Sequence, residues 1–488
     1  MKLLVVNPLG HDRFDLSDAE FVAARLAPGD SVSVASLPEG ETYLHDFHAL
    51  ALAAPRVAEV VAALSPGHDA VVINCFADPG LEAAREVSTA PVLGPGQTCL
   101  KLVRLLSRRF GVVAAGGRSL AVVQRNLEPA GSDCGLVGVE PLPIPVEGLS
   151  QDPARTTGEM LAAVERLAAR GAGAAVLGCT GMSRLFAELC GRTPIPVLEP
   201  LSTAVAAAKA LVRLKLSHAR LNLPAERPPA GAPPVTCLGT GKAAGRRLVV
   251  LNPVTRSDLA PRVSRYLAGL VSEKTEVRVE SIRVGPPFIE SALDAAQAAP
   301  GLLELVEALA EEARAGRSAR PDALIVNCYA DPGLEAVQEA SRRLWGCRDG
   351  WPSVPAVGLG TASSVVAALL ARRFSVVAVG RGGAGPARDQ VRALGLAPSL
   401  ARVVEARLGV EELLSAPQDA QEALADGVRR AVREPGDEAV AFGCGGAMEA
   451  AVALRRRFPG IPLVEPLAAA VGVAEVLAEL GQPPGEAA

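Results

Sequence analysis

The stretch Asp69 to Glu86, DAVVINCFADPGLEAARE, returns later in the chain at Asp322 to Glu339 as DALIVNCYADPGLEAVQE. Twelve of the eighteen aligned positions are identical, so the chain contains an internal repeat. In each copy a short apolar run rich in β-branched residues precedes the cysteine, which predicts a strand buried in a parallel sheet. Asp78 and Pro79 then predict the N-cap and first residue of a helix. The repeat therefore predicts a thiol at the carboxyl end of a strand, where open α/β sheets bind ligands.

The repeat extends through both halves of the chain. KLLVVNPLG matches RRLVVLNPVT, SRRFGVVAAG matches ARRFSVVAVG, AVLGCTGM matches VAFGCGGA and IPVLEPLSTAV matches IPLVEPLAAAV. Strand-like and helix-like segments alternate, which predicts an α/β fold with doubly wound parallel sheets. We expect one unit at residues 1–221, a Pro-rich linker at 222–246 and a second unit at 247–488.

The second half is longer between its matched cysteines, which are 116 residues apart against 104 in the first half. Eleven of the twelve extra residues lie between Asp331 and Gly358, and this insert holds both tryptophans, Trp345 and Trp351. Insertions are tolerated best on the surface, so the insert is predicted to be a surface loop.

Composition excludes several classes of protein. The formal net charge is −4 and aromatic residues make up 3% of the chain, which does not favour nucleic acid as a partner. The opening MKLLVVNP is too short an apolar run for a signal peptide or a membrane span, so we expect no membrane partner. Nine cysteines without disulfide-scaffold spacing favour a reducing, cytoplasmic location.

Four of the nine cysteines recur between the halves, namely Cys75, Cys179, Cys328 and Cys444. A free cysteine is commonly a small buried hydrophobe, and that structural role is the alternative for any one of them. The four, however, all follow predicted strands, and Cys179 and Cys444 open glycine-containing turns. Paired placement of this kind favours a chemical role.

Other chemistries that use cysteine fit the spacing poorly. A CxxC redox motif is absent, and GTGKAAGRR at 239–247 lies in the expected linker and lacks the phosphate-loop pattern. A metal site would require clustered cysteines or histidines, and a thiol protease would require a histidine partner. All five histidines lie in the first half, at His11, His45, His48, His68 and His218. Two thiols per unit at strand ends suggest instead that one takes a proton from a carbon acid while the other delivers a proton to the opposite face.

Each half resembles the Asp/Glu racemase superfamily, and within it the hydantoin racemases. The features that carry the resemblance are VVNP, the CFADPGLEAARE block, RRF-x-VV, LGCTGM and the VLEP helix start, over about 215 residues of the first half and about 235 of the second. The resemblance implies a cofactor-independent two-base mechanism, without a metal, on a small-molecule substrate held between two flavodoxin-like lobes. The implied lobes are about 1–95 plus 200–218 and 96–199 in unit 1, and about 247–358 plus 466–482 and 359–465 in unit 2.

By the same resemblance, Cys75 and Cys179 are the acid and base of the first unit, and Cys328 and Cys444 those of the second. A nearby helix N-terminus is expected to lower the pKa of the thiol that acts as base. Neighbouring residues are predicted to contact the substrate, namely Asn7, Phe76, Thr180, Gly181, Asn252, Tyr329, Gly445 and Gly446. For Asn7 and Asn252 the alternative is a turn-stabilising role. Glu199 and Glu465 are candidates to orient the ligand, and the alternative for them is helix capping.

Departures from the family pattern bear on the substrate. Glutamate racemases typically have Cys-Asn-Thr and Cys-Thr-His, whereas this chain has Cys75-Phe76-Ala77 and Cys179-Thr180-Gly181, which disfavours a free acidic amino acid. Hydantoin racemases often have hydroxyl residues after the x-VV strand, where this chain has alanine and valine. Gly445 replaces Thr180 in the second unit, so the two clefts are expected to differ.

Three functions remain open at this stage. The first is a tandem racemase or epimerase that acts on a hydantoin or a related amino-acid derivative. The second is a decarboxylase or cis–trans isomerase of the same superfamily, and the third is a non-catalytic small-molecule sensor that retains the fold. The fusion of two similar units further predicts a pseudo-dimer of the two halves or a homo-oligomer.

Overall fold

The computed structural model describes residues 1–127, 135–218, 235–239, 245–271, 274–348, 351–380, 382–415, 417–432 and 438–481. Most of the predicted Pro-rich linker, including all five of its prolines, lies outside these ranges.

Four parallel sheets, two in each half, form the framework of the molecule. Unit 1 contributes β1 (Lys2–Asn7), β2 (Ser31–Ser36), β3 (Ala70–Ile73) and β4 (Val92–Leu93) to one sheet, and β5 (Phe110–Gly116), β6 (Leu136–Pro145), β7 (Ala174–Leu177) and β8 (Val197–Leu198) to the other. Each sheet has its first strand between the second and the third, with the fourth at the edge. This is the flavodoxin-like order, so the predicted fold class is confirmed.

Helices connect these strands and cover the faces of the sheets, as parallel pairing requires. In unit 1 they are α1 (Asp15–Ala23), α2 (Phe47–Leu64), α3 (Leu81–Val87), α4 (Pro95–Leu106), α5 (Ser119–Leu127), α6 (Pro153–Ala169), α7 (Phe186–Leu189) and α8 (Pro200–Arg213).

Unit 2 repeats the plan with the same two strand orders. After β9 (Thr236–Gly239), its strands are β10 (Arg247–Asn252), β11 (Glu276–Ser281), β12 (Ala323–Val326), β13 (Cys347–Arg348), β14 (Trp351–Pro352), β15 (Ala356–Gly358), β16 (Arg373–Ala378), β17 (Leu400–Glu405), β18 (Glu438–Gly443) and β19 (Leu463–Val464). Its helices are α9 (Leu259–Ala268), α10 (Ala292–Arg314), α11 (Leu334–Trp345), α12 (Leu359–Leu370), α13 (Ala384–Ala393), α14 (Val410–Ser415), α15 (Pro417–Ala431), α16 (Met448–Arg457) and α17 (Pro466–Leu480).

Two segments differ from the sequence-based expectation. Part of the expected linker forms β9, which pairs antiparallel with β2 and so adds a strand to the first sheet of unit 1. The insert of unit 2 is not simply a surface loop, because it extends α11 and forms the antiparallel pair β13 and β14. Trp351 is 5% exposed and belongs to the largest hydrophobic core. Its burial stabilises the fold, because an indole ring removes a large apolar area from water.

The largest hydrophobic core contains residues from all four sheets. Between the units, α8 packs against α17 and α4 packs against α12. These four helices are buried over almost their whole lengths, so the two halves share a common interior.

Among the described residues, α2 is the one helix long and apolar enough to cross a membrane. In the structure its buried face, which includes Ala53 and Val57, lies in a core cluster with residues of β1 and β3.

Candidate active site

The four repeated cysteines occupy equivalent positions in the four lobes. Each follows the third strand of its sheet: Cys75 follows β3, Cys179 follows β7, Cys328 follows β12 and Cys444 follows β18. Because the first and third strands are neighbours whose connections leave in opposite directions, this end of the sheet is the topological switch point. The fold therefore places each thiol where ligands bind in doubly wound sheets.

The two cysteines of unit 2 line one pocket of about 360 Å³, although they belong to different lobes. A volume in that range accommodates a small organic ligand. Tyr329, Gly445 and Gly446, three of the predicted substrate-binding residues, also line it. Apolar side chains supply much of the remaining wall, namely Val254, Leu259, Phe288, Ile289, Val379, Val410 and Leu414. Two charged side chains, Arg256 and Glu290, also line the pocket.

Cys75 and Cys179 are electrostatic neighbours in unit 1, because the charge of Cys179 contributes to raising the pKa of Cys75. A hydrogen bond also joins the two lobes here, from Thr180 Oγ1 to the backbone oxygen of Asn74 at 3.2 Å. Phe76 is buried, and its backbone oxygen accepts a hydrogen bond from Asn126. Gly181 lies beside the sulfur of Cys179.

Burial raises the pKa of all four thiols. The pKa of Cys75 and that of Cys328 rise to about 12, and that of Cys444 rises to about 11. The backbone N–H groups of the turns, such as that of Gly446 at 3.4 Å from Cys444 Sγ, act in the opposite direction but are outweighed by the loss of hydration. The expected lowering of a thiol pKa by a helix N-terminus is therefore wrong for the ligand-free protein.

Asp78 does not cap the helix that follows it, contrary to the sequence prediction. The N-cap of α3 is Gly80, and the Asp78 carboxylate instead accepts hydrogen bonds from the N–H groups of Gly96 and Gln97, at 3.0 and 2.6 Å, in the first turn of α4. Asp331 does the same in unit 2, where the N–H groups of Gly360 and Thr361 donate at 2.9 and 2.8 Å.

This long-range cap holds the turn of Cys75 against α4 and the turn of Cys328 against α12. Asp78 and Asp331 have left-handed φ values of 51° and 48°, which aspartate tolerates better than most residues. Burial raises the pKa of each carboxyl group to about 7, despite the hydrogen bonds they accept. The backbone approach is also close, because a methyl group on Gly96 would overlap the carbonyl oxygen of Phe76.

Asn7 and Asn252 are the last residues of the first strands and are 2% and 0% exposed. Asn7 Nδ2 donates to Asp15 at 2.7 Å and to Asp18 at 3.1 Å, while Asn252 Nδ2 donates to Ser281 at 3.1 Å. Asn7 Oδ1 accepts a hydrogen bond from Asn74, and Asn252 Oδ1 accepts one from Asn327. Asn74 and Asn327 are the residues that immediately precede the first-lobe cysteines. The structure thus places Asn7 and Asn252 behind Asn74 and Asn327, which the sequence reasoning did not single out.

Glu199 and Glu465 are helix caps, the second of the two alternatives considered. Each is 1% exposed and accepts from two N–H groups at the start of the following helix, α8 or α17. Glu465 also accepts from Tyr266 at 2.9 Å. A carboxylate is stabilised at a helix N-terminus by the exposed N–H groups and the helix dipole.

An ion pair joins the two lobes of each unit, and its charges are reversed between the units. In unit 1, Asp18 on α1 accepts from Arg184 at 2.8 Å. In unit 2, Arg262 on α9 makes two hydrogen bonds of 2.7 Å to Glu449. Asp18 and Arg262 are both fourth in their helices, and Arg184 and Glu449 both lie five residues after the second-lobe cysteine. We call these two ion pairs the lobe clasps.

Among the residues that the structure describes, no group of three or more His, Cys, Asp or Glu side chains is arranged to hold a metal.

Two parallel-sheet lobes that share a pocket, with one thiol from each lobe, define a class of two-lobed α/β enzymes. A family model described as Asp/Glu/hydantoin racemase matches residues 3–208 and again residues 248–474. The chain belongs to this family of racemases and carries its domain twice, as a tandem duplication.

Individual relatives cover one unit at a time. A hydantoin racemase from Paenarthrobacter aurescens is 32% identical over 235 residues, which are 48% of this chain and 92% of that protein. A hydantoin racemase from Rhizobium meliloti is 36% identical over 167 residues, 34% of this chain and 69% of that protein. Among solved structures, the allantoin racemase from Klebsiella pneumoniae is 29% identical and covers 49% of this chain and 89% of its own, with a TM-score of 0.42.

Proposed function

We propose that each unit is a cofactor-independent racemase that uses its two cysteines as acid and base on a carbon acid. The observation that carries this proposal is the convergence of Cys328 and Cys444, from different lobes, on one pocket of about 360 Å³. Equivalent cysteines occur in unit 1, where they are electrostatic neighbours. The same placement in both units favours a shared chemistry over two independent packing roles.

The reaction balances without an external reagent. One thiolate removes the proton from the stereogenic carbon, and the electron pair passes into the adjacent carbonyl group to form an enolate. The second thiol then gives its proton to the other face of that carbon, so the substrate is inverted and the two sulfur atoms have exchanged protonation states. The N–H group of Gly446 donates to Cys444 Sγ and that of Ala447 to the carbonyl oxygen of Cys444, so the N–H group of Gly445 is the one that we expect to stabilise the enolate oxygen.

The substrate that fits best is a 5-substituted hydantoin or a related cyclic amide with an apolar substituent. Phe288, Ile289 and Leu414 give the unit 2 pocket an apolar wall for such a substituent. The relatives named as hydantoin racemases support the same class. Retention of two thiols in both units favours racemisation over decarboxylation or cis–trans isomerisation, for which one thiol suffices, and over a sensor. We retain cytoplasmic location as a prediction, because the mechanism requires reduced thiols.

The test uses the full chain with one unit silenced at a time. The variant Cys328→Ser/Cys444→Ser reports on unit 1, and Cys75→Ser/Cys179→Ser reports on unit 2. Exchange of the C5 proton of each enantiomer of 5-benzylhydantoin with deuterium is followed by NMR, with chelator present and the enzyme-free rate subtracted.

In the unit 1 reporter, Cys75→Ala and Cys179→Ala are each expected to suppress exchange of one enantiomer preferentially. Unchanged exchange of both enantiomers in both single variants would refute the two-base assignment. Loss of activity with chelator would refute independence from a metal.

A further inference from the structure

Asn327 and Asn74 immediately precede Cys328 and Cys75, and the mechanism above gives them no role. Asn327 is 9% exposed and lines the same pocket as the two cysteines of unit 2. Its Oδ1 atom is buried and accepts no hydrogen bond from the described residues, and the same holds for Asn74 Oδ1. An unpaired buried acceptor is unfavourable, so a pair of them at equivalent positions requires a reason.

The hydrogen bonds of unit 1 determine which atom of Asn74 is the free one. Asn7 Nδ2 donates to two carboxylates, those of Asp15 and Asp18, which leaves Asn7 Oδ1 as an acceptor. Asn74 Nδ2 therefore donates to Asn7 Oδ1, at 2.8 Å, and also to Asp18 at 3.1 Å. Both donors of the Asn74 amide are thus used within the protein, and its oxygen remains available.

Unit 2 reaches the same result with different partners. Asn327 Nδ2 donates to Asn252 Oδ1 at 2.7 Å, and Asn252 Nδ2 donates to Ser281 at 3.1 Å. The free Asn327 Oδ1 points toward the second lobe, because a Cβ atom placed on Gly445 would lie 3.1 Å from it. The acceptor therefore faces the space between Cys328 and the turn that carries Cys444.

We propose that Asn327, and Asn74 in unit 1, are specificity-determining residues whose Oδ1 atoms accept the N–H group attached to the stereogenic carbon of the substrate. This inference rests on the proposed function and narrows its substrate class to carbon acids that carry a secondary amide N–H at that position. In a hydantoin this group is N1–H. Malonates lack such a donor and would leave the acceptor unpaired.

The position of the hydrogen bond suits a racemase. N1–H lies in the plane of the hydantoin ring, so a hydrogen bond to it leaves both faces of C5 open to the two sulfur atoms. The same contact can therefore hold either enantiomer, while the substituent at C5 changes sides. Since the asparagine and the first-lobe cysteine are adjacent in sequence, the hydrogen bond also fixes the distance from C5 to that sulfur.

The experiment compares two isomeric substrates with the full chain, namely the 1-methyl and 3-methyl derivatives of 5-benzylhydantoin. Each lacks one N–H group, and the 3-methyl compound is the matched control because it keeps N1–H. We expect kcat/KM for deuterium exchange to fall at least about tenfold for the 1-methyl compound and to stay within about threefold of the parent for the 3-methyl compound.

A variant separates the loss of the hydrogen bond from steric exclusion of the methyl group. In the unit 2 reporter, Asn327→Ala removes the acceptor and opens space beside it. We expect exchange of the parent and 3-methyl compounds to fall about tenfold while exchange of the 1-methyl compound does not fall, so that the discrimination disappears. Recovery of the 1-methyl compound to the parent rate of the unaltered reporter would show exclusion by size and overturn the inference.

The substrate comparison needs no variant, so misfolding of Asn327→Ala does not remove the test. Equal rates for the 1-methyl and 3-methyl compounds with the full chain would overturn the role of the asparagines and leave the proposed function intact. Absence of exchange with the unmethylated hydantoin would overturn the proposed function itself, and this inference with it.

Discussion

The sulfur atoms of the paired cysteines lie in surroundings that oppose their ionisation. Burial is the largest cause in each case, and in the pairs Cys75–Cys179 and Cys328–Cys444 the charge of the second-lobe sulfur would further disfavour a charge on the first. In unit 2 burial raises the pKa of Cys328 to about 12 and that of Cys444 to about 11, both well above the ordinary value for a thiol. Thiolate formation is therefore a scarce event near neutral pH.

The first prediction concerns pH. A raised thiol pKa means that the fraction of enzyme with one thiolate grows about tenfold for each pH unit above neutrality, until the pH approaches the pKa of about 11 of Cys444. We expect kcat/KM for proton exchange in the unit 2 reporter to rise with that slope. The 3-methyl hydantoin is the suitable substrate, because it has no imide proton to ionise.

A flat profile from neutral to alkaline pH would contradict the first prediction. Such a result would mean that substrate binding, and not the ligand-free protein, sets the ionisation of the thiols.

The roles of some single residues could be predicted from the sequence, and the roles of others could not. The positions of the four cysteines could be predicted, because the repeat and the local strand-then-turn pattern are both visible in the chain. The role of Asp78 could not, since its partners, the N–H groups of Gly96 and Gln97, are eighteen and nineteen residues away and leave no local signal. The identity of Asn74 and Asn327 was visible in the repeat, but their free oxygens became apparent only with the hydrogen-bond network.

At the scale of elements, the contact between the cysteine turn and the second helix after it, α4 or α12, depends on a close backbone approach. Gly96 in α4 lies against the carbonyl oxygen of Phe76, and Gly360 in α12 lies against that of Tyr329. Both glycines are in the first turn of a helix whose N–H groups are capped by an aspartate of the turn. The turn and the helix are therefore packed together, and this packing fixes the position of the cysteine sulfur.

The second prediction is that Gly96→Ala displaces the Cys75 turn. The added methyl group would overlap the Phe76 carbonyl oxygen, so we expect a loss of about 1–3 kcal/mol in the free energy of unfolding and at least about tenfold lower exchange in the unit 1 reporter. The control is Gly158→Ala in α6, where nothing lies within 4 Å of the new atom and helix propensity improves. Equal effects of the two substitutions, measured by urea unfolding and by exchange, would argue against the prediction.

The third prediction concerns the lobe clasp of unit 2. Arg262→Glu or Glu449→Arg alone would place like charges together between the lobes, and we expect each to lower kcat/KM in the unit 2 reporter about tenfold. The double variant Arg262→Glu/Glu449→Arg restores attraction with the polarity that unit 1 uses, so most of the activity should return.

The control for the clasp is the reversal Glu39→Arg/Arg56→Glu, an exposed pair within one lobe, for which no change is expected. If kcat/KM of the double variant of the clasp were no higher than that of either single variant, the ion pair would not couple the lobes.

At the scale of the whole molecule, the two units share an interior built from α4, α8, α12 and α17. The matched segments of α4 and α12 differ in polarity. Lys101 and Arg104 occupy positions equivalent to Val365 and Ala368, by alignment of Gly94 with Gly358. The Lys101 ammonium donates to the backbone oxygen of Ala368, and Arg104 donates to that of Leu394 at 2.7 Å. No repeat pattern in the sequence could indicate these contacts, because they cross between the halves.

The fourth prediction concerns Lys101, which is 6% exposed and has its pKa lowered to about 7, chiefly by burial. Between pH 7 and the ordinary value of 10.5 the unfolded chain holds a proton here that the folded chain has lost. Stability should therefore rise with pH across this window, by at most about 1.4 kcal/mol per pH unit from this group. Urea unfolding of wild type and of Lys101→Met measures the difference between their slopes.

Lys101→Met is expected to flatten that rise, since methionine fills similar space without a charge. Parallel pH dependences of the two proteins would contradict the assignment, whatever their absolute stabilities.

The difference in polarity between α4 and α12, which pack against each other between the units, has an evolutionary consequence. In a homodimer every substitution is made twice, so a cation near the symmetry axis would meet its own copy. Covalent fusion removes that restriction and lets one side become cationic while the other stays apolar. Such divergence is hard to reverse, because two copies of the first half would now bring Lys101 and Arg104 of each against the other. We therefore expect the halves to depend on each other, so that gene fission would not return two self-sufficient enzymes.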